Sequence, residues 1–239
     1  MKKEIKIGLI VADEHEYAPV EKFVQDKNIK IYDFYKNRAI DFTITQQGKT
    51  AYITAVLCGI GKVNAASAAA MLIAKDKADI LINFGLSGIV SDLKKGDIAI
   101  CKSFIEHDFD ITPFGYKPAQ KPQETYCYKA DQTLLKLFVN LYPFLKSAVA
   151  VTGDQFICDK TTKDFLKNEF SAQCCDMESA AIASVCHQGD IPFVSLRKMS
   201  DDADETATME YRELNFKQED VLFKITLDGI KKLLDSDDR

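Results

Sequence analysis

Short apolar runs alternate with helix-like segments along almost the whole chain. Five runs have the length and composition of buried strands, at residues 6–11, 79–84, 97–105, 148–152 and 192–199. Helical spacing or small-residue composition marks residues 15–24, 61–74, 134–141, 163–168, 177–187 and about 219–234. Strands separated by helices predict a three-layer α/β/α fold, in which helices cover both faces of a central, largely parallel sheet.

One pair of segments makes the predicted sheet mixed. Residues 39–45 and 51–57 both have strand composition, and residues 46–49 between them have the composition of a hairpin turn. The chain has no repeat or linker, so we predict a single domain over residues 1–239. Residues 112–125 form the only long irregular segment, and such loops in compact domains are commonly functional.

Composition excludes several classes of protein. A formal net charge of −5 argues against a protein that binds the phosphate backbone of nucleic acids. No apolar run reaches the roughly 18 residues of a membrane span, and the apolar run near the start is better interpreted as a first strand than as a signal peptide. Seven cysteines without a CxxC pair predict reduced thiols in the cytoplasm.

Two patterns that often mark ligands are weak in this chain. A glycine-rich turn, Gly59-Ile60-Gly61, follows a strand and opens a helix, but Asn64 stands where a dinucleotide-binding motif has its third glycine. A tight strand-to-helix turn is therefore the preferred interpretation, with a ligand contact as the alternative. The three histidines are far apart and lack metal-ligand spacing. We expect neither a cofactor nor a metal.

Three carboxylates occupy more informative places. Glu16 lies just beyond the first predicted strand, Glu178 at the start of a helix, and Asp201 just beyond the strand at 192–199. Open α/β sheets bind ligands at the carboxyl ends of their strands. Each residue alone could be a helix cap or a solvated charge. Together the three could supply an acid, a base and an anchor for a sugar.

With these three carboxylates and the motifs around them, the sequence resembles the nucleoside phosphorylase/nucleosidase superfamily, and most closely the bacterial 5′-methylthioadenosine/S-adenosylhomocysteine nucleosidases. The likeness extends over essentially the whole chain and rests on the order and spacing of several short motifs. These motifs are IGLI at 7–10 before Glu16, GIGKVNAA at 59–66, NFG at 83–85 with Gly88, GDI at 96–98, HDFDIT at 107–112, FGY at 114–116, GDQFI at 153–157, DMESAAIA at 176–183, and Arg197 through Ser200-Asp201.

The resemblance implies a nucleoside phosphorylase-like fold and a role for each matching residue. Asp201 would be the general acid at the purine, and Glu16 the base that activates water. Glu178 and Met177 would hold the ribose hydroxyls, Phe156 would stack on adenine, and the backbone of Ile157 would bind its Watson–Crick edge. Arg197 and Ser200 are also expected at the substrate. The apolar wall around the 5′-thio group would comprise Ile60, Ile111, Phe114, Tyr116, Pro122 and Tyr211.

By the same resemblance the protein would act on a small nucleoside as a homodimer, with part of that wall supplied by the neighbouring subunit, and it would serve methionine salvage.

The chain departs from the family pattern at two positions. Asp13 replaces an apolar residue, often methionine, so either its carboxylate turns away from the ligand or the preferred 5′ group is more polar. Leu86 replaces a hydroxyl residue that helps to position water or sugar, a role that Ser87 could take after a local shift.

Three other functions are compatible with the motifs. A phosphate-dependent nucleoside phosphorylase would need cationic or amide contacts, but the positions where phosphorylases carry arginines have Asp13, Glu14 and Glu16 here, and Phe84 and Leu86 further on. A second alternative is a hydrolase of another 5′-modified nucleoside, such as futalosine or 5′-deoxyadenosine. The third is a silent nucleoside-binding module, because a fold alone does not establish activity.

Overall fold

Ten strands form one sheet in the computed structural model, which describes residues 3–25, 29, 31–215 and 220–235. The strands are β1 (Glu4–Val11), β2 (Ile31–Phe34), β3 (Asn37–Gln46), β4 (Lys49–Leu57), β5 (Ile80–Ile89), β6 (Ile98–Glu106), β7 (Cys127–Lys129), β8 (Lys146–Thr152), β9 (Cys174–Asp176) and β10 (Phe193–Asp201). The helices are α1 (Glu14–Val24), α2 (Lys62–Met71), α3 (Gln132–Leu141), α4 (Lys160–Phe170), α5 (Ser179–Gln188), α6 (Ala207–Asn215) and α7 (Val221–Asp235).

Helices cover both faces of this sheet, as predicted. Apolar side chains of α1, α3 and α7, such as Tyr17, Phe138 and Phe223, pack in one layer. Alanine-rich α2 and α5 pack against the other face through small side chains such as Ala68 and Ala180. Small residues let these two helices lie close to each other and to the sheet. No helix in the described ranges has both the length and the apolar character needed to cross a bilayer.

Part of the sheet closes on itself, which the sequence pattern does not predict. The order of strands runs β10-β6-β8-β9-β5-β1-β4-β3-β2, and β10 also pairs with β5. Strands β5, β10, β6, β8 and β9 therefore form a closed ring, while β1 to β4 extend from it as an open wing. Among the described strands, five pairings are parallel and five antiparallel. The mixed sheet is confirmed, with a smaller parallel share than expected.

The predicted hairpin is present and has a two-residue turn. Strands β3 and β4 pair in antiparallel register up to Gln46 and Lys49. The two turn residues, Gln47 and Gly48, have positive φ angles of 48° and 74°. Such a turn matches the right-handed twist of the strands it joins. Tyr35 and Lys36 form a second turn of this kind between β2 and β3, with φ angles of 52° and 64°.

The structure differs from the predicted segments mainly at short elements and at strand ends. The strand predicted at residues 79–84 continues in β5 through Gly85 to Ile89. Gly85 and Gly88 lie inside this strand, where an added Cβ atom would be 2.8 to 3.0 Å from neighbouring side chains. The three-residue strands β7 and β9 and the helix α6 were not predicted, since segments this short or this polar lack a clear periodicity. The predicted start of the last helix, residue 219, lies outside the described residues.

Candidate active site

A cavity of about 300 Å³ opens at the carboxyl ends of β1, β5 and β10. Its lining includes residues from the loops after β1 and β4, from β5, and from the segments around β9 and β10. The cavity brings together nine of the fourteen residues proposed for the site, which are Glu16, Ile60, Phe156, Ile157, Met177, Glu178, Ser200, Asp201 and Tyr211. Five residues do not line it, namely Ile111, Phe114, Tyr116, Pro122 and Arg197.

Glu16 lies in the first turn of α1 with its carboxyl group at the inner end of the cavity. The backbone N–H of Leu86 donates a hydrogen bond to Glu16 Oε1 at 2.7 Å. Burial raises the pKa of Glu16 to about 8, although this hydrogen bond and the charge of Arg197 oppose the rise. A carboxyl group with a pKa in this range can accept a proton near neutral pH.

Arg197, which is expected at the substrate, lies beneath the cavity and is not among its lining residues. Its side chain is only 2% exposed, with Nε 3.2 Å from Asp176 Oδ2 and Nη1 3.3 Å from the carbonyl oxygen of Leu86. The sequence placed Arg197 on the central strand β10, and strand alternation directs this side chain into the protein. A buried guanidinium here neutralises part of the negative charge of the surrounding carboxylates.

Gly85 allows Glu16 and Arg197 to approach the strand β5. A Cβ atom built on Gly85 would be 2.8 Å from Glu16 Oε2 and 2.8 Å from Arg197 Nη1. Any side chain at this position would displace one or both charged groups. The sequence offered a signal for this close contact, because an isolated glycine inside an apolar strand often marks a close approach of another group.

Glu178 lies at the N-terminal end of α5 and is buried against the glycine turn. The N–H of Gly61 donates a hydrogen bond to Glu178 Oε1 at 3.0 Å, and Gly61 has a φ of 103° that favours glycine. Burial raises the pKa of Glu178, and Arg197 opposes the rise. The turn at Gly59–Gly61 therefore contacts a carboxylate of the site. It connects a strand to a helix, as predicted, and it also contributes a hydrogen bond to the site.

Asp176 holds the backbone at the start of α5. The sequence motif at residues 176–183 contains this residue but gives it no role of its own. Its Oδ1 accepts hydrogen bonds from the hydroxyl of Thr152 and from the N–H groups of Glu178 and Ser179, at 2.7, 3.0 and 2.9 Å. This carboxylate therefore caps α5 and fixes the backbone that carries Glu178.

Asp201 is the last residue of β10, where its carboxyl group faces the cavity. Burial raises its pKa, while hydrogen bonds from the hydroxyl of Ser200 and the N–H of Ala203 oppose the rise. Ser200 Oγ lies 2.6 Å from Asp201 Oδ2 and 3.2 Å from the carbonyl oxygen of Ser87. A hydroxyl has one proton to donate. The hydroxyl proton of Ser200 can therefore serve only one of these two acceptors at a time.

Two aromatic side chains and one backbone segment form the outer part of the cavity. The rings of Phe156 and Tyr211 meet edge to face, with centroids 5.6 Å apart. Ile157 is buried beside them, and Ile60 is exposed on the opposite side. A flat aromatic face with adjacent backbone groups is suited to a planar heterocycle.

The loop over residues 107–126 does not line the cavity in this chain. Phe114 is 80% exposed, and neither Tyr116, Pro122 nor Ile111 is a lining residue. The base of the loop is held by Asp108, which accepts hydrogen bonds from Lys62 Nζ at 2.6 Å and from the N–H of Asp154 at 2.9 Å. The contact of these residues with the 5′ end of the site stays a prediction.

The two departures from the family pattern have local explanations. Asp13 caps α1, with Oδ1 accepting a hydrogen bond from the N–H of His15 at 2.8 Å, while the residue remains at the edge of the cavity. Leu86 contributes its backbone N–H to Glu16, a contact that does not depend on its side chain. The hydroxyl of Ser87, by contrast, is buried without a hydrogen-bond partner among the described residues.

The site has no features of a metal centre within the described ranges, where no group of three or more metal-ligating side chains converges. All seven cysteines are free thiols. Burial raises the pKa of several of them, including Cys58 to about 12, so these thiols are poor nucleophiles.

Fold and site together define an α/β enzyme with an acidic cavity at the strand ends. The chain belongs to the Phosphorylase superfamily, whose sequence profile matches residues 6–228. A curated relative from Shewanella pealeana, 5′-methylthioadenosine/S-adenosylhomocysteine nucleosidase, is 38% identical over 218 residues, covering 87% of this chain and 91% of the relative.

Two solved structures are similar over nearly the full chain. The 5′-methylthioadenosine/S-adenosylhomocysteine nucleosidase of Neisseria meningitidis, in complex with methylthio-immucillin-A, has a TM-score of 0.84 and 31% identity, covering 95% of this chain and 98% of the other. The futalosine hydrolase of Helicobacter pylori has a TM-score of 0.82 and 25% identity, covering 97% of both chains. These similarities support the family resemblance and leave the 5′ group of the substrate to be argued from the site.

Proposed function

We propose that the protein hydrolyses the N-ribosyl bond of 5′-thio-substituted adenosines, such as 5′-methylthioadenosine and S-adenosylhomocysteine, and releases adenine. The observation that carries the proposal is the charge of the cavity. Five carboxylates and no cationic side chain are among the described residues that line it, the carboxylates being those of Asp13, Glu16, Asp176, Glu178 and Asp201. The name of the relatives supplies the substrate class.

Asp201 acts as the general acid. Breaking an N-ribosyl bond leaves electrons on the base and positive charge on the sugar, so protonation of the purine lowers the barrier. Burial raises the pKa of Asp201, which helps it to hold a proton. General acid catalysis of this kind contributes about 10² to 10⁴-fold.

Glu16 acts as the base that takes a proton from the attacking water. Glu178, with Met177 beside it, binds the ribose hydroxyls, and its negative charge stabilises the positive charge that develops on the sugar. Arg197 is a positioning residue, because it touches the carboxylate of Asp176 and the backbone of Leu86 without entering the cavity. Phe156 stacks on adenine, and the backbone of Ile157 binds its Watson–Crick edge.

The exposed loop of residues 107–126 supports a further part of the proposal. Three aromatic side chains of this loop, Phe114, Tyr116 and Tyr126, are exposed by 80%, 36% and 37%. We infer a homodimer in which Phe114, Tyr116 and Pro122 of each chain complete the 5′ end of the partner's cavity. The free thiols are consistent with action in the cytoplasm, where release of adenine would serve methionine salvage.

Phosphorolysis is disfavoured by the same charges. Phosphate would enter a cavity lined by carboxylates, without a lysine or arginine side chain in the described lining to bind it. A hydrolase of a more polar 5′-modified nucleoside remains a second candidate, supported by the carboxylate of Asp13 at the cavity edge and by the similarity to futalosine hydrolase.

The test is release of free adenine from 5′-methylthioadenosine and S-adenosylhomocysteine in phosphate-free buffer, measured by chromatography. We expect adenine at the same rate with and without added phosphate. Release that requires phosphate would identify a phosphorylase instead. Binding of both nucleosides without release would identify a silent binding module, and release only from futalosine or 5′-deoxyadenosine would identify the second candidate.

A further inference from the structure

Asp108 joins two segments of the candidate active site that are distant from each other in the sequence. Its Oδ1 accepts a hydrogen bond from Lys62 Nζ at 2.6 Å, and its Oδ2 accepts one from the N–H of Asp154 at 2.9 Å. Asp154 Oδ1 in turn accepts a hydrogen bond from the N–H of Lys62 at 2.8 Å. These three residues form a hydrogen-bonded triangle between the base of the loop, the start of α2 and the segment after β8.

Both segments that Asp108 joins carry groups of the site. Gly61, directly before Lys62, donates its N–H to Glu178 Oε1 at 3.0 Å. Residues 155–157, directly after the segment's aspartate, line the cavity. Asp108 itself is not among the described residues that line the cavity. It therefore holds the backbone next to the groups that are proposed to bind ribose and adenine, without touching the substrate.

The environment of Asp108 makes these contacts strong. Its side chain is 16% exposed and that of Lys62 is 18% exposed, so water competes less for this pair than for a surface ion pair. Burial would raise the pKa of Asp108, but hydrogen bonds from Lys62 and from the N–H of Asp154 outweigh it and hold the pKa below its usual value. Asp108 is therefore ionised at neutral pH, and both of its oxygens accept hydrogen bonds.

We propose that Asp108 is a positioning residue for the reaction, because it fixes the turn at Gly59–Gly61 and the segment at 153–157 relative to each other. Glu178 and Phe156 would then meet the ribose and the adenine of one substrate at the same time. This inference rests on the proposed function. A carboxylate is needed for it, since an asparagine amide has one acceptor oxygen and cannot serve both donors. A displacement of about 1 Å in a binding group can lower the rate about 100-fold.

The main test is Asp108→Ala, assayed for kcat and KM on 5′-methylthioadenosine and for inhibition by adenine, well below the melting temperature. We expect kcat/KM to fall about 10- to 100-fold and the inhibition constant of adenine to rise about fivefold. Asp108→Asn keeps one acceptor oxygen, so its losses should be smaller. An unchanged kcat/KM or an unchanged inhibition constant in Asp108→Ala would overturn the proposal.

A double-mutant cycle tests whether Asp108 acts through the triangle. Lys62→Met removes the ammonium group and keeps the backbone N–H that donates to Asp154. We expect Lys62→Met alone to lower kcat/KM about fivefold and to cause no further loss in the presence of Asp108→Ala. Losses that multiply would show that the two side chains act independently, and would overturn the proposal.

Glu106→Gln is the matched control for a purely structural role. Its carboxylate is also 16% exposed and lies near Lys62, at 3.6 Å, but its shorter contact is with Lys121 Nζ at 2.5 Å. In the described part of the chain it has no hydrogen bond to the segment at 153–157. Glu106→Gln should lower the melting temperature and leave kcat/KM and adenine inhibition unchanged. Equal effects of Glu106→Gln and Asp108→Asn on adenine inhibition would assign both residues to the stability of the loop and overturn the proposal.

These experiments distinguish this inference from the proposed function. If the wild-type protein releases no adenine from 5′-methylthioadenosine, the proposed function fails. If the wild-type protein turns over normally and Asp108→Ala does so too, the proposed function stands and the positioning role fails.

Discussion

The inner floor of the cavity and its outer mouth are built in different ways. On the floor, each of the three carboxylates accepts a hydrogen bond from a backbone N–H group. Leu86 donates to Glu16, Gly61 donates to Glu178, and Ala203 donates to Asp201. At the mouth, Ile60 and Phe156 are exposed, while Phe114 is exposed on a loop outside the cavity. The groups that would break the bond are thus fixed by one chain, whereas in the proposed dimer a second chain would complete the binding surface for the 5′ group.

This difference separates reaction chemistry from substrate preference. Preorganised hydrogen bonds hold charged groups in place before the substrate arrives, which lowers the barrier of the chemical step. In the proposed dimer, an apolar wall between subunits would change the affinity for the 5′ substituent, and a methylene group in such a pocket changes specificity only about 10- to 200-fold. We therefore expect substitutions on the floor to affect kcat and substitutions at the mouth to affect KM.

The largest effect is expected for Asp201→Asn. The amide keeps the size of the side chain but cannot protonate the purine, so kcat should fall about 10³-fold. The melting temperature should stay near that of the wild type. Asp202→Asn is the matched control, because this neighbouring carboxylate is partly exposed and pairs with Lys95. A kcat for Asp201→Asn near the wild-type value would remove the acid from the mechanism.

Gly85→Ala should have the next largest effect. The added methyl group would be 2.8 Å from Glu16 Oε2 and Arg197 Nη1, so both charged groups must move. We expect kcat to fall about 100-fold and stability in urea to fall by about 1–3 kcal/mol. Gly189→Ala is the control, since its nearest contact would be an ordinary 3.5 Å. Wild-type activity in Gly85→Ala would show that the floor is not rigid.

The pH dependence of kcat/KM should report the two carboxyl groups of the floor. The productive form has Asp201 protonated and Glu16 ionised, so it carries one proton between them. Burial raises the pKa of Glu16 to about 8 and also raises that of Asp201. Activity should fall at low pH, where both groups are protonated, and above about pH 8, where both groups are ionised. A constant kcat/KM from about pH 8 to 10 would contradict the assignment.

A smaller effect is expected at the mouth, for Phe114→Ala. If the partner's Phe114 covers the 5′ group, KM for 5′-methylthioadenosine should rise about tenfold while kcat changes little. Phe144→Ala is the control, because Phe144 is also an exposed phenylalanine, at 54%, but lies outside the cavity and the loop. Sedimentation of the wild-type protein should show a dimer, and a monomer with full activity would refute a shared mouth.

The smallest effect is expected for Asp13→Ala. Loss of the cap on α1 should lower the free energy of unfolding by about 1 kcal/mol, measured in urea. Asp13→Asn keeps an oxygen that can accept from the N–H of His15, so it should restore most of this stability. If Asp13→Asn also improves kcat/KM for 5′-methylthioadenosine over more polar nucleosides, the carboxylate tunes the 5′ preference in addition to capping the helix.

The sequence by itself determined the order of the main strands and helices, the hairpin turn, and the positions of Glu16, Glu178 and Asp201 at strand ends or helix starts. These features depend on local periodicity, turn composition and chain order, which a sequence displays directly. The order and spacing of the motifs also identified the family. Members of a family carry these motifs in the same order, because side chains from distant segments must meet to form one site.

Only the tertiary structure decided the rest. Pairing of β10 with both β5 and β6 closes the ring, and strand pairing between distant segments leaves no local signal in the sequence. The same packing buries Arg197 beneath the carboxylates, leaves the Ser87 hydroxyl without a hydrogen-bond partner among the described residues, and leaves Phe114 exposed outside the cavity. Burial and contacts across the fold set these environments, and with them the pKa values and roles of the side chains.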